Sequence, residues 1–111
     1  TLTSPAFGDG GPLPPDCTQD GGKLSPPLAW TGVPPDAEAL VLIVEDADSP
    51  TPAPLVHLIA GDLPGEDGAL AAGDLESPCS VGEGYTLGRN SLRKVEYLPP
   101  DPPKGHGRHR Y

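Results

Sequence analysis

The sequence predicts an all-β domain, a sandwich or barrel with little helix, and three observations lead there. Apolar residues never recur at three-and-four spacing for more than a turn before Pro or Gly intervenes, so no long amphipathic helix is expected. Short apolar or alternating runs bounded by turn residues recur instead, the pattern of packed β-strands. The 111 residues include 17 Pro and 15 Gly, a share that on its own flags low complexity, but 23 Leu, Ile, Val and Phe keep the chain above the roughly 20% floor for globular folding. The expectation is one loop-rich, folded domain over residues 1–111 with a thin core.

The first clear strand is Ala39-Leu40-Val41-Leu42-Ile43-Val44, a continuous apolar run expected to be covered on both faces. It ends in Glu45-Asp46-Ala47-Asp48-Ser49-Pro50. A loop punctuated by Pro50, Pro52 and Pro54 follows, and these residues cannot donate ladder hydrogen bonds. Leu55 to Ala60 reads as a second buried strand, with Leu55, His57 and Ile59 on one face and Val56, Leu58 and Ala60 on the other. Gly61 to Gly88, rich in Gly, Asp, Glu, Ala and Ser, reads as a long surface excursion without chemistry. A third strand is expected over Ser91 to Leu98, then a rigid loop through Pro99-Pro100-Asp101-Pro102-Pro103. The chain closes on Gly105-His106-Gly107-Arg108-His109-Arg110-Tyr111, where an extended backbone puts His109 and Tyr111 on one face and Arg108 and Arg110 on the other.

Charge narrows the function classes. The net charge of −9 divides into −13 over residues 1–88 and +4 over 89–111. An acidic body argues against a nucleic-acid module, which needs a basic face to neutralise phosphates. No apolar run reaches membrane-spanning length, and no signal peptide is visible; a cytoplasmic protein is expected, or a periplasmic or secreted one if a leader has been removed. Cys17 and Cys79 favour free thiols over a disulfide.

The residues able to carry chemistry stand at strand ends. Asp46 and Asp48 close a buried strand, where a rigid element delivers side chains to a fixed place, although a solvated acidic turn has the same composition. His57 in an apolar row is an ordinary core histidine or a ligand group. The closing Gly107, His109 and Tyr111 offer an imidazole, a phenol and a backbone that permits close approach to an anion. Asp46, Asp48, His57, His106 and His109 hold enough O and N donors for a divalent ion, but their spacing matches no recognised metal motif. There is no nucleophile elbow, phosphate-cradling loop or paired-cysteine motif, and Gly82-x-Gly84 lacks the strand and helix of a dinucleotide site. No cofactor and no reaction class is therefore expected.

Four motifs in order resemble the phosphatidylethanolamine-binding protein (PEBP) family, in particular its prokaryotic Raf-kinase-inhibitor-like branch. They are Leu2-Thr3-Ser4-Pro5-Ala6-Phe7 with Gly10-Gly11-Pro12-Leu13-Pro14; Leu24-Ser25-Pro26-Pro27-Leu28-Ala29-Trp30; Asp46-Ala47-Asp48-Ser49-Pro50; and Gly107-Arg108-His109-Arg110-Tyr111. The resemblance implies an antiparallel β-sandwich with a small pocket for phosphate, acetate or a phospholipid head group, bordered by Asp46, Asp48, Pro50, His57, Asp101, Gly107, His109 and Tyr111, with Trp30 as a structural residue beneath. It also implies a non-enzymatic regulatory role, with inhibition of a kinase or protease through the pocket rim as one alternative; a minor hydrolase or metal-binding role, resting on the carboxylates and histidines themselves, is another.

This sequence departs from the pattern in three ways. Ala47 replaces a proline, and Pro99-Pro100-Asp101 stands where many relatives carry a glycine-containing loop, so Pro99 offers no N–H and Asp101 adds negative charge. Relatives also continue for several strands beyond the closing motif. A sheet ending at Tyr111 leaves an unpaired edge, which predicts a domain that is marginal alone, either a fragment of a longer protein or an oligomer such as a homodimer.

Overall fold

The computed structural model describes residues 1–75 and 85–111. Among the described residues, six strands run in chain order: β1 (Leu2–Thr3), β2 (Leu28–Trp30), β3 (Ala39–Asp46), β4 (Leu55–Pro64), β5 (Gly68–Leu70) and β6 (Thr86–Leu87). They form two three-stranded antiparallel sheets, ordered β1-β2-β5 and β3-β4-β6. A 3-10 turn at Pro15–Cys17 is the one helical element among the described residues. The fold is thus all-β, as the turn-punctuated sequence predicts.

One core cluster is shared by both sheets. Leu28 and Leu70 come from the first, and Leu42, Leu58, Ala60, Leu63 and Leu87 from the second, joined by Leu75, Tyr85 and Tyr97 from connecting segments. Trp30, Leu40, Val44 and Val95 pack at its margin. Leu58 is 1% exposed and Leu75 fully enclosed, so these two anchor the interior.

β3 and β4 form the long central pair, from Ala39↔Pro64 to Asp46↔Leu55. The run 39–44 was expected to be covered on both faces. Instead β3 alternates: Leu42 and Asp46 are buried, while Val41 and Ile43 are 66% and 54% exposed. β3 pairs on one side alone among the described residues, so one face and one edge lack the cover that a fully apolar run implies. The register shifts between Leu40 and Leu42 and again between Val44 and Glu45. Such bulges re-aim side chains at a strand end, and this one lies just before the inward-facing Asp46.

Two further expectations are corrected. The described parts of the stretch 61–88, residues 61–75 and 85–88, are not a surface excursion: β4 continues to Pro64, β5 and β6 follow, and Leu63, Leu70, Leu75, Tyr85 and Leu87 enter the core, while 76–84 lie outside the described residues. Apolar residues in the described parts stand singly among Gly and Asp, so cross-strand pairing, not local alternation, buries them. Gly65 shows how tight that packing is, since a Cβ there would lie 2.1 Å from the Ala37 carbonyl oxygen. Ser91 to Leu98 forms no strand. Asn90, buried, accepts from the N–H groups of Leu92 and Lys94 and donates to the Glu96 carbonyl. A side chain that satisfies the backbone locally competes with a ladder, and Arg93 at φ 61° turns the chain back. Cys17 is a buried thiol whose pKa is raised by burial and by the nearby Asp16; Cys79 and the Gly82-x-Gly84 pair lie outside the described residues.

Candidate functional site

The two long strands deliver the site. Asp46 sits on the inward face at the end of β3, directly opposite Leu55 at the start of β4. His57 follows two residues later on the same face as Leu55, while Leu58 and Ala60 turn into the core. The His57 Nδ1–H donates to the Leu98 carbonyl at 2.6 Å, and the Leu98 N–H donates to the His57 carbonyl at 2.8 Å. These bonds fasten the segment before the proline loop to β4. They also fix the tautomer, because a carbonyl only accepts.

The closing segment lies against the end of β3. It forms no assigned strand, but the Ala47 N–H donates to the Arg110 carbonyl at 3.1 Å and the Arg110 N–H to Asp48 Oδ2 at 2.8 Å. The Arg110 guanidinium grips both oxygens of the same carboxylate, at 2.8 and 3.0 Å. These hydrogen bonds, and the positive charge behind them, hold the Asp48 carboxyl down at about 2. His109, on the opposite face from Arg110, donates its Nδ1–H to Asp46 Oδ2 at 2.5 Å, with both side chains almost fully enclosed. The other Asp46 oxygen accepts the Asp48 N–H at 2.8 Å. Gly105 and Gly107, at φ +78° and +92°, curl the backbone so that His106 Nδ1 reaches His109 Nε2 at 2.7 Å. Only glycine takes these conformations without strain.

Between these elements lies a pocket of about 60 Å³ lined by Asp46, Ser49, Pro50, Leu55, His57, Asp101, Pro102, Pro103, His109 and Tyr111. That is small beside the roughly 300 Å³ at which drug-sized sites begin. The Tyr111 ring stands nearly perpendicular to His57, with centroids 5.4 Å apart. Burial pushes the Tyr111 phenol up to about 12, helped by the charges of Asp46 and Asp101, so it stays protonated as a donor. The buried His57 Nε2 has no hydrogen-bond partner among the described residues.

Asp46, Pro50, His57, Asp101, His109 and Tyr111 thus converge on one pocket. Asp48 and Gly107 do not line it: the first locks Arg110 and the second shapes the backbone. Trp30 does not lie beneath the pocket either; its Nε1–H donates to the Glu66 carbonyl at 2.9 Å and it borders a separate apolar groove with Leu40, Leu42 and Leu63. Sequence reasoning missed Ser49, Leu55, Pro102 and Pro103 as lining residues, and His106 as the partner of His109. No group of three or more His, Cys, Asp or Glu among the described residues is arranged to hold a metal ion, and no described helix is long and apolar enough to cross a membrane.

A two-sheet antiparallel sandwich with a buried Asp–His cluster closing a small pocket at a strand end defines the class of protein. Residues 3–111 match the family described as phosphatidylethanolamine-binding protein, and the chain belongs to that family. A UPF0098 protein of Mycobacterium tuberculosis is 41% identical over 112 residues, covering 100% of this chain and 50% of that protein. A UPF0098 protein of Aquifex aeolicus is 36% identical over 110 residues, covering 97% and 61%. Among solved structures, a putative PEBP homolog of Chlamydia trachomatis, CT736, superposes with a TM-score of 0.80 at 35% identity, over 93% of this chain and 65% of that one. The E. coli protein YbcL superposes with a TM-score of 0.89 at 26% identity, over 98% and 70%. The chain therefore spans about half the length of the mycobacterial relative it matches.

Proposed function

We propose that the chain is a binding module, without chemical turnover, whose strand-end pocket receives a small anionic group such as phosphate, a carboxylate or the head group of a phospholipid. The observation that carries this reading is the buried His57 Nε2, without a hydrogen-bond partner among the described residues, on a residue that lines a pocket of about 60 Å³. Buried polar atoms are nearly always hydrogen-bonded, and an orphan in a native fold calls for a partner from outside. The family's name, which specifies a phospholipid, agrees with that chemistry. The reading is tested by titrating the protein with phosphate, phosphoethanolamine and acetate while following the histidine ring resonances. Saturable shifts at His57 that vanish in His57→Ala support it; no response to any of the three overturns it.

A further inference from the structure

We infer, resting on the anion-pocket reading above, that this pocket takes up its anion together with a proton, held between His57 Nε2 and a ligand oxygen. An oxyanion needs hydrogen-bond donors, and the side chains lining the pocket have almost none to spare. His109 has both ring nitrogens engaged, Nδ1 on Asp46 and Nε2 on His106. Ser49 and Thr51 share a hydrogen bond, and because the Thr51 hydroxyl proton goes to the Ala53 carbonyl, Ser49 must be the donor in that pair. Pro50, Pro102 and Pro103 bring no N–H at all. Asp46 and Asp101 add negative charge.

Two groups remain. The Tyr111 hydroxyl is a donor. His57, which lines the pocket, is the other, and its Nδ1–H is committed to Leu98, so in the neutral ring the enclosed Nε2, without a partner among the described residues, carries a lone pair. A lone pair repels an oxyanion. Adding one proton at Nε2 turns this acceptor into a charged donor, the stronger class of hydrogen bond. The ligand can bring that proton, as a dihydrogen phosphate or a phosphate monoester monoanion does, or solvent can supply it. The bound state is the same: one anion and one proton enter together, with no bond broken in either partner other than that to the transferred proton. The charged and titratable groups facing His57 are Asp46 at the end of β3, Asp101 in the proline loop, and His109 and Tyr111 of the closing segment. An arriving anion supplies a countercharge for the added proton.

Sulfate is the discriminating probe, since it has the shape of phosphate and carries no proton near neutrality. Calorimetric titration of the wild-type protein with sulfate and with phosphate, in buffers of differing ionisation enthalpy, counts the protons exchanged. The expected result above the imidazole titration range is uptake approaching one proton per sulfate, with Kd rising about tenfold per pH unit. In parallel, the His57 Nε2 nitrogen resonance moves from the lone-pair to the protonated position on saturation, and His57→Gln abolishes the pH dependence. Sulfate binding that is equally tight at pH 6 and pH 8.5 with no proton uptake overturns the inference while leaving the anion pocket standing. Failure of both anions to bind at every pH overturns the anion reading and the inference with it.

Discussion

Replacing Asp46 by Ala tests the keystone of the site. The carboxylate accepts from His109 Nδ1 at 2.5 Å and from the Asp48 N–H at 2.8 Å, with the Asp46 and His109 side chains 4% and 1% exposed. Breaking a buried pair by removing one partner costs about 3–5 kcal/mol, because the other group stays buried without its bond. The Asp48 N–H lies nearer the surface and can turn to water, so the lower end applies, about 3 kcal/mol. For a domain of this size that lowers Tm by at least about 10 °C. Asp46→Asn is milder, at about 1–2 kcal/mol, since its amide oxygen still accepts the Asp48 N–H and its NH2 can donate to His109 Nδ1 once that ring switches tautomer and gives its Nε2–H to His106. Urea and thermal unfolding followed by circular dichroism measure both. A loss below about 1 kcal/mol in Asp46→Ala, or equal losses in the two variants, would refute the reasoning.

Three other outcomes follow from the geometry. The Asp48 carboxyl is held at about 2 by Arg110, so the stability it contributes is present above the ordinary carboxylate range and is lost as pH falls from about 4 toward 2; Arg110→Ala removes that acid limb in a pH-dependent melt. Tyr111, raised to about 12, acts in the opposite direction: its contribution is intact below about pH 10 and is lost as pH rises toward 12, a limb absent in Tyr111→Phe. Asn90→Ala strips three hydrogen bonds from the 90–96 turn and destabilises by about 1–3 kcal/mol in denaturant unfolding, and Asn90→Asp, which keeps the acceptor for Leu92 and Lys94 but sets a carboxylate oxygen against the Glu96 carbonyl, destabilises as well.

The sequence made some of this legible and hid the rest for physical reasons. The pair β3 and β4 could be read because each carries a run of adjacent apolar residues, although β3 turns only alternate ones inward, and His57 could be placed because period two fixes a strand residue's face. The same alternation put His109 and Tyr111 on one face of the closing segment and Arg110 on the other, but it gave no sign that Arg110 would pair with Asp48. β5 and β6 were hidden because Leu70 and Leu87 reach the core as single residues, through long-range pairing that leaves no local pattern. The 91–98 segment misled in the opposite sense: Val95 and Tyr97 look strand-like, but Asn90 takes the backbone donors first. His106 offered one signal, its position between Gly105 and Gly107, whose positive φ values carry it back to His109. Asp48 and Gly107 were read as pocket residues, and the structure places them behind it, one as a lock and one as a bend.

The account turns on His57 as the group that meets the ligand. Following the side-chain nitrogens of all three histidines during a phosphoethanolamine titration tests this most directly. A saturable change at His57 Nε2, with the Nδ1–H to Leu98 preserved, is the predicted result. No saturable change, or one confined to the exposed His106, would contradict it.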